Sequence, residues 1–291
     1  MAIRFCESLG AGQIREMHQI YNQSFERIRT GEDRFRERLG LEGPVCALME
    51  ERQGAVMGYA LVRGNCLQLL AVRREARGSG LGSALLTAAE EKMRVGANRL
   101  LLGSGAGGYL VPGVPMEPES DASEWFARRG YAPGWISLDM VIKLSEAPSF
   151  EPVRGIDIRW RNEKDPGEVL RSAECAETIV PGWGKFYQQP GQRAILALDG
   201  ERIVGVNLVD QTLGGLYSQS LPRAAGFGCL GVRESHRERG IGRALCLWAM
   251  EALKALGAGE CFIGYTYLED WYGRLGAKKY VEYWMGEKRL D

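Results

Sequence analysis

The sequence predicts two tandem α/β domains, each a mixed, mostly antiparallel sheet flanked by helices. Three observations carry this. First, residues 71–86 (AVRREARGSGLGSALL) recur 160 positions later as residues 231–246 (GVRESHRERGIGRALC), with seven of sixteen positions identical. The identities are Val72/Val232, Arg73/Arg233, Arg77/Arg237, Gly80/Gly240, Gly82/Gly242, Ala84/Ala244 and Leu85/Leu245. A repeat at about half the length of a 291-residue chain means two homologous domains, not a solenoid of short units. Second, apolar runs in each half flank short polar turns, as antiparallel hairpins do. Third, each copy of the repeat joins an apolar strand to an amphipathic helix.

The elements follow in the same order in both halves. A short opening strand (Ala2 to Phe5; Ile156 to Trp160) precedes a polar helical region. Val45 to Glu50 and Val56 to Val62 flank the turn Gln53-Gly54, and Ala194 to Leu198 and Ile203 to Val209 flank Asp199-Gly200. A third strand (Leu67 to Val72; Phe227 to Val232) enters the glycine loop. The helix after it places Leu81, Leu85 and Ala88 on one face in the first half, and Ile241, Leu245, Trp248 and Ala252 in the second. Another strand (Arg99 to Leu102; Glu260 to Thr266), a short helix and a final strand complete each half. The stretch from Ser145 to Pro152, with two prolines and no periodicity, reads as the linker. The expected domains are therefore 1–147 and 148–291.

Composition narrows the function. Apolar content of 45% and charged content of 25% are ordinary for a globular protein. The 37 basic and 37 acidic residues cancel, which argues against nucleic acid as a partner. Seven cysteines without a CxxC pair and only two histidines leave no clustered ligands, so no metal is expected. Their odd number and scatter fit reduced thiols and a cytoplasmic protein. The opening MAIRFCESLG has neither signal nor transit character, and no apolar run nears the ~18 residues that span a bilayer. No membrane association is expected.

A strand, a glycine turn and a helix together make an anion cradle. Unpaired N–H groups at the helix start and the helix dipole favour negative charge, and glycine lets backbone approach it closely. Neither copy contains GxxxxGK[ST]. The dinucleotide pattern GxGxxG also fails, because Ser83 stands where its third glycine belongs and Glu238 replaces Gly78. What both share is Arg-x-x-Gly-x-Gly: Arg77/Gly80/Gly82 and Arg237/Gly240/Gly242.

This pattern resembles the acyl-coenzyme A motif of the GNAT superfamily, the GCN5-related N-acetyltransferases, whose signature is Gln/Arg-x-x-Gly-x-Gly/Ala after an apolar strand. The resemblance implies two tandem GNAT-like domains with acetyl-coenzyme A as co-substrate and no metal. It assigns coenzyme A contacts to Leu70, Val72, Arg77, Gly78, Ser79, Gly80, Leu81, Gly82 and Ser83 in the first copy. In the second it assigns Leu230, Val232, Arg237, Glu238, Arg239, Gly240, Ile241, Gly242 and Arg243. In that family the loop cradles the pyrophosphate, and the bulged strand before it pairs with the pantetheine arm.

A second family motif, Phe-Tyr-x-x-x-Gly-Phe, has counterparts in Trp125-Phe126-Ala-Arg-Arg-Gly130-Tyr131 and Trp271-Tyr272-Gly-Arg-Leu-Gly276-Ala277. The family tyrosine protonates the departing thiolate. Tyr272 occupies that position; Phe126 occupies it in the first copy and has no proton to donate. The alternative for Tyr272 is an aromatic ring packed on the sheet. These motifs lie 146 residues apart, so the first half carries 14 extra residues between its two motifs, within Gly103 to Ser120. Tyr109, Leu110, Val111, Val114 and the prolines make it an ordered loop, either lidding a pocket or docking on the other domain. Similar Pro-Gly-Val-Pro loops occur in bacterial tandem-GNAT proteins, which the whole chain resembles.

The resemblance implies that a neutral amine attacks the thioester, that a backbone N–H near Leu230 to Val232 stabilises the oxyanion, and that an acid protonates the sulfur. The base is not readable. Glu174 and Glu177 lie in the region that shapes the acceptor site, and His236 lies inside the pyrophosphate motif. The acceptor is a small-molecule or peptide amine, and a homodimer is compatible with the chain. The leading reading is an N-acetyltransferase working in the second domain. The alternatives are catalysis in both domains, a non-catalytic acyl-coenzyme A sensor or scaffold, and a mycothiol-synthase-like enzyme. Peptidyl transfer from aminoacyl-tRNA is disfavoured by neutral charge and the intact loops.

Overall fold

Apolar alternation and glycine-containing turns set the strands. In the computed structural model, which describes residues 2–40, 46–95, 97–103, 110–116 and 120–290, the first half runs β1 (Arg4–Cys6), α1 (Ala11–Ser24), α2 (Glu32–Gly40), β2 (Cys46–Arg52), β3 (Ala55–Arg63) and β4 (Cys66–Val72). It continues with α3 (Leu81–Met93), β5 (Arg99–Leu102), β6 (Val114–Pro115), α4 (Ala122–Ala127) and β7 (Ala132–Lys143). The second half runs β8 (Asp157–Trp160), α5 (Pro166–Ile179), α6 (Gly184–Tyr187), β9 (Arg193–Asp199), β10 (Arg202–Asp210) and β11 (Ala224–Val232). It ends with α7 (Ile241–Ala255), β12 (Glu260–Thr266), α8 (Glu269–Gly273) and β13 (Lys278–Arg289). The expected hairpins are present: β2 pairs β3 across Gln53-Gly54, and β9 pairs β10. Val45, expected to begin a strand, lies outside the described residues, as does Tyr109.

The chain forms two compact units, but they do not part at the linker. Unit 1 comprises residues 1–138, 216–220 and 281–291; unit 2 comprises 139–215 and 221–280. These bounds differ from the expected 147/148: residues 281–291 of the closing strand fall with unit 1, and residues 139–147 with unit 2. In unit 1 the strand order is β1-β2-β3-β4-β5-β13, with Glu287 opposite Leu101 and Arg289 opposite Arg99. In unit 2 it is β7-β12-β11-β10-β9-β8. Burial is the reason. Trp284 sits in the unit 1 core with Leu102, Val114 and Phe126, whereas the Asp139 carboxylate in unit 2 accepts the Tyr265 N–H at 3.1 Å. Linker composition reports where a chain is loose, not which distant strand it pairs with.

In each unit one central helix covers the sheet. Leu81, Leu85, Leu86, Ala89 and Met93 of α3 are buried in the unit 1 core. In α7 the buried set is broader than a single stripe, running from Ile241 through Leu247 to Leu253.

Candidate active site

The sheet itself opens each cleft. β4 pairs in parallel with β5 only at Cys66 and Leu67, and β11 pairs with β12 only from Ala224 to Gly226. Beyond those points no ladder pair among the described residues joins the two strands, so backbone polar groups along 68–72 and 227–232 have no strand partner there on that side. A ligand that offers amide groups can take their place.

At the end of each opened strand stands the glycine loop. Gly80 and Gly240 cap α3 and α7 at φ +86 and +78, a left-handed conformation that glycine adopts without a Cβ penalty. No atom lies within 4 Å of a Cβ built on Gly240, nor of one built on Gly78 in the first loop, so the space in front of these loop positions is open. The loop needs a second left-handed residue two positions earlier. Gly78 supplies it at φ +74 in unit 1, and Glu238 at φ +64 in unit 2. This locates the departure seen in the sequence: the backbone shape persists, and the second copy holds it with a strained glutamate.

The shared arginines shape the loop. Arg77 Nε donates to the Val72 carbonyl at 3.1 Å and Arg237 Nε to the Val232 carbonyl at 3.3 Å. Arg73 and Arg233 do the same one strand over, each donating from Nε at 2.9 Å to Val56 and Ile203 carbonyls. Two of the seven repeated identities, four arginines in all, are therefore architectural clamps that hold strand ends in register.

Two cavities follow, about 640 Å³ in unit 1 and about 750 Å³ in unit 2. Leu70, Val72, Arg77, Gly78, Gly80, Gly82 and Ser83 line the first. Leu230, Val232, Arg237, Glu238, Gly240, Ile241, Gly242 and Arg243 line the second, with Tyr272. Three expected contacts fall elsewhere. Leu81 is fully buried in the core. Ser79 turns back to the Ala76 carbonyl at 2.7 Å. Arg239 reaches Asp199 at 3.5 Å. The helix period and the turn, neither visible in motif spacing, direct them away.

Behind each loop sits an aromatic step. Trp125 meets Phe126 edge-on with centroids 4.9 Å apart, and Trp271 meets Tyr272 at 4.8 Å. Both tryptophans line the cavities, a role motif matching did not assign. Burial pushes the Tyr272 phenol well above the usual tyrosine range, so it stays protonated at neutral pH. Of the acidic candidates, Glu174 is exposed. The backbone N–H groups of Gly182 and Gly184 hold the Glu177 carboxylate below its usual range, which makes it a poor base. His236 bonds Ser235 and Asp199 beside the glycine loop.

The described part of the long loop has a definite place. β6 pairs with β13 (Val114 opposite Trp284), and Val111, Gly113, Val114 and Pro115 form a wall of the unit 1 cavity. In unit 2 that wall is β12 itself, through Ile263 to Thr266. The described residues thus both wall the unit 1 cavity and pair with a strand from the second half of the chain. Among the described residues no group of three His, Cys, Asp or Glu could hold a metal ion, and no helix is long and apolar enough to cross a membrane.

The profile of the Acetyltransferase (GNAT) family matches residues 14–105 and 158–282, one stretch in each half. The chain belongs to that family. Membership of that family supports acyl-transfer activity. No curated protein matches the sequence, but solved structures match the fold across the chain. A GCN5-related glucosamine N-acetyltransferase region of a fungal multi-domain GH3 β-N-acetylglucosaminidase aligns with TM-score 0.85 at 21% identity, over 98% of this chain and 38% of that one. This GNAT chain thus spans well under half of the fungal protein. A GCN5-related N-acetyltransferase from Sphaerobacter thermophilus aligns with TM-score 0.72 at 20% identity, over 99% and 95%. A tandem GNAT protein from the clavulanic acid biosynthesis pathway aligns with TM-score 0.71 at 14% identity, over 99% and 98%.

Proposed function

We propose that unit 2 transfers an acetyl group from acetyl-coenzyme A to a primary amine, and that unit 1 binds an acyl-coenzyme A without turning it over. The observation that supports this is one cavity holding the glycine loop, the end of β11 and a protonated phenol. The pyrophosphate meets the amides before α7, with Gly240 and Gly242 leaving room for it. The pantetheine arm pairs with the free edge of β11. The neutral amine attacks the thioester carbonyl, and the C–S bond breaks as the oxyanion collapses. Tyr272 gives its proton to the sulfur, the acetylated amine loses one to water, and water reprotonates the phenol. Unit 1 has the same cradle but only Phe126 beside it. All seven cysteines are free, in keeping with a reducing cytoplasm.

The test is a panel of primary amines, glucosamine and amino-acid amides among them, with release of free coenzyme A as the readout. Wild type should release it with at least one amine, and Tyr272→Phe should do so far more slowly. Tight acetyl-coenzyme A binding without release in any arm would favour the sensor reading instead.

A further inference from the structure

β11 gains one residue against β10. Val206 pairs with Gly231 and Leu208 with Gly228, so Asn207 alone faces Cys229 and Leu230. At this bulge Cys229 takes φ +47, a region its Cβ disfavours and which must be held by its surroundings. The holder is visible. The Tyr187 hydroxyl donates to the Cys229 carbonyl at 2.7 Å. Tyr187 is fully buried. Its own carbonyl accepts from Arg161 at 2.8 Å, and Arg161 also donates to Ser172 and Gln192 at 2.9 and 3.0 Å. The phenol therefore has a fixed base and cannot swing away. Burial pushes its pKa well up, so it remains a donor at neutral pH.

We propose that Tyr187 is a positioning residue for acyl transfer in unit 2, fixing the Cys229–Leu230 peptide so that the Leu230 N–H serves as donor to the thioester carbonyl. In a trans peptide the C=O and N–H point in opposite directions. With the carbonyl tied to Tyr187, the Leu230 N–H points away from it. Leu230 is left out of the β10 ladder, and Cys229, Leu230 and Gly231 line the cleft that contains Tyr272. Unit 1 lacks the device. Its extra residue is Gln68, so Leu69 and Leu70 stay paired with Leu61 and Ala60. Its buried Tyr59 donates to Met17 of α1 rather than to a strand bulge.

The inference rests on the acetyl-transfer reading, and the experiment separates the two. Acetyl-coenzyme A carrying a ¹³C thioester carbonyl is bound to the full chain, and the carbonyl stretch is read by difference infrared spectroscopy. Gly80→Asp in the background removes the signal from unit 1. In this background the bound carbonyl should shift down from its free value, and Tyr187→Phe should return it. Acetyl-coenzyme A affinity should stay within about 3-fold, while single-turnover transfer falls about 10²-fold, the usual effect of losing one oxyanion donor. Glycine takes a positive φ unaided, so Tyr187→Phe with Cys229→Gly should recover both the shift and the rate to within several-fold. That rescue separates positioning from general destabilisation. A shift that survives in Tyr187→Phe overturns the inference, as does loss of affinity, melting temperature and rate together with no recovery in the double variant. Wild type that binds with a shifted carbonyl yet acetylates no amine sinks the transfer reading and leaves the bulge intact. An unshifted carbonyl in an enzyme that turns over sinks the inference alone, and absence of binding sinks both.

Discussion

Trp125 stands edge-on to Phe126 in unit 1 at nearly the same distance as Trp271 to Tyr272 in unit 2, 4.9 against 4.8 Å. The loops also agree, with Gly80 and Gly240 at φ +86 and +78. Between these two matching features the strands differ. β11 bulges at Cys229 with a positive φ, whereas β4 shifts register at Gln68 and keeps Leu69 and Leu70 in the ladder. Packing shape and phosphate cradle thus recur without the proton donor, and the donor goes with the bulge. The loop geometry belongs to the backbone and survives side-chain change; the transfer we propose would depend on one hydroxyl and one turned peptide.

The exchange of closing strands gives the largest expected effect. Expressed separately, residues 1–147 lose β13, and with it Trp284 from the unit 1 core, while 148–291 lose the Asp139 partner of Tyr265. Removing a buried Trp alone typically costs about 3–5 kcal/mol, comparable to a small domain's whole stability. Neither half should show a cooperative melt, whereas the two co-expressed should recover one. Cooperative unfolding of 1–147 alone would show that the exchange is dispensable.

Next in size is the hydroxyl. Tyr272→Phe should lower single-turnover acetyl transfer by about 10²–10⁴-fold, with acetyl-coenzyme A affinity within a few-fold. The reverse change sharpens the comparison. Phe126→Tyr should add no transfer activity when Tyr272 is also replaced, because Leu69 and Leu70 remain paired. New turnover from that double variant would mean the bulge is unnecessary. Phe126→Leu should alter packing and barely touch turnover.

The cradles can be separated by charge. Gly240→Asp sets a carboxylate before the pyrophosphate and forces a Cβ into a left-handed conformation. Calorimetry should then show acetyl-coenzyme A stoichiometry falling from two to one, with Gly80→Asp removing the other site. Two sites persisting in Gly240→Asp would show that this loop does not carry the phosphate.

Much of this could be read from the sequence, because a glycine loop is local: spacing and apolar flanks locate both loops, and the resemblance to the family motif supplies the Tyr272/Phe126 contrast. What escaped depends on distant partners. The exchange of β7 and β13 leaves no trace near the linker, since Trp284 looks like any strand aromatic until its neighbours are known. The repeated Arg73/Arg233 pair carries no assigned role in the sequence, and only the structure shows it clamping the Val56 and Ile203 carbonyls. The bulge at Cys229 has no residue signature at all; it is a matter of register.

Alkaline pH should separate the units as well. Among the described residues burial raises six thiols and phenols in unit 2: Cys175, Cys246, Cys261, Tyr187, Tyr272, and Cys229, pushed up to about 11. In unit 1 it raises four, the thiols of Cys6 and Cys46 and the phenols of Tyr59 and Tyr131. A raised folded pKa stabilises fully below the unfolded value, here about 8.5 for thiols and 10 for phenols, and that stability erodes as pH climbs past it. Each such group removes about 1.4 kcal/mol per pH unit in that window. Melting followed by fluorotryptophan signals should drop more steeply above pH 9 at Trp160 and Trp248 than at Trp125 and Trp284. Equal slopes would mean that these groups reach water in the folded state.

The smallest effect concerns the one place where the loops differ in kind. Glu238 holds at φ +64 the conformation that Gly78 holds at φ +74. A left-handed non-glycine residue costs about 1–2 kcal/mol, and glycine gives back about 0.4–1 kcal/mol through the freer unfolded chain. Glu238→Gly should therefore stabilise unit 2 by roughly 0.5 kcal/mol. It also removes a carboxylate from the wall of the phosphate end. Across ~6 Å of water a like charge is worth about 0.7 kcal/mol, or about 3-fold in affinity. Acetyl-coenzyme A should accordingly bind unit 2 of Glu238→Gly about 3-fold more tightly at low salt, and the gain should shrink at 0.5 M salt as screening grows. An affinity gain that ignores salt would trace to loop strain, and no gain at low salt would mean the Glu238 carboxylate faces away from the phosphates.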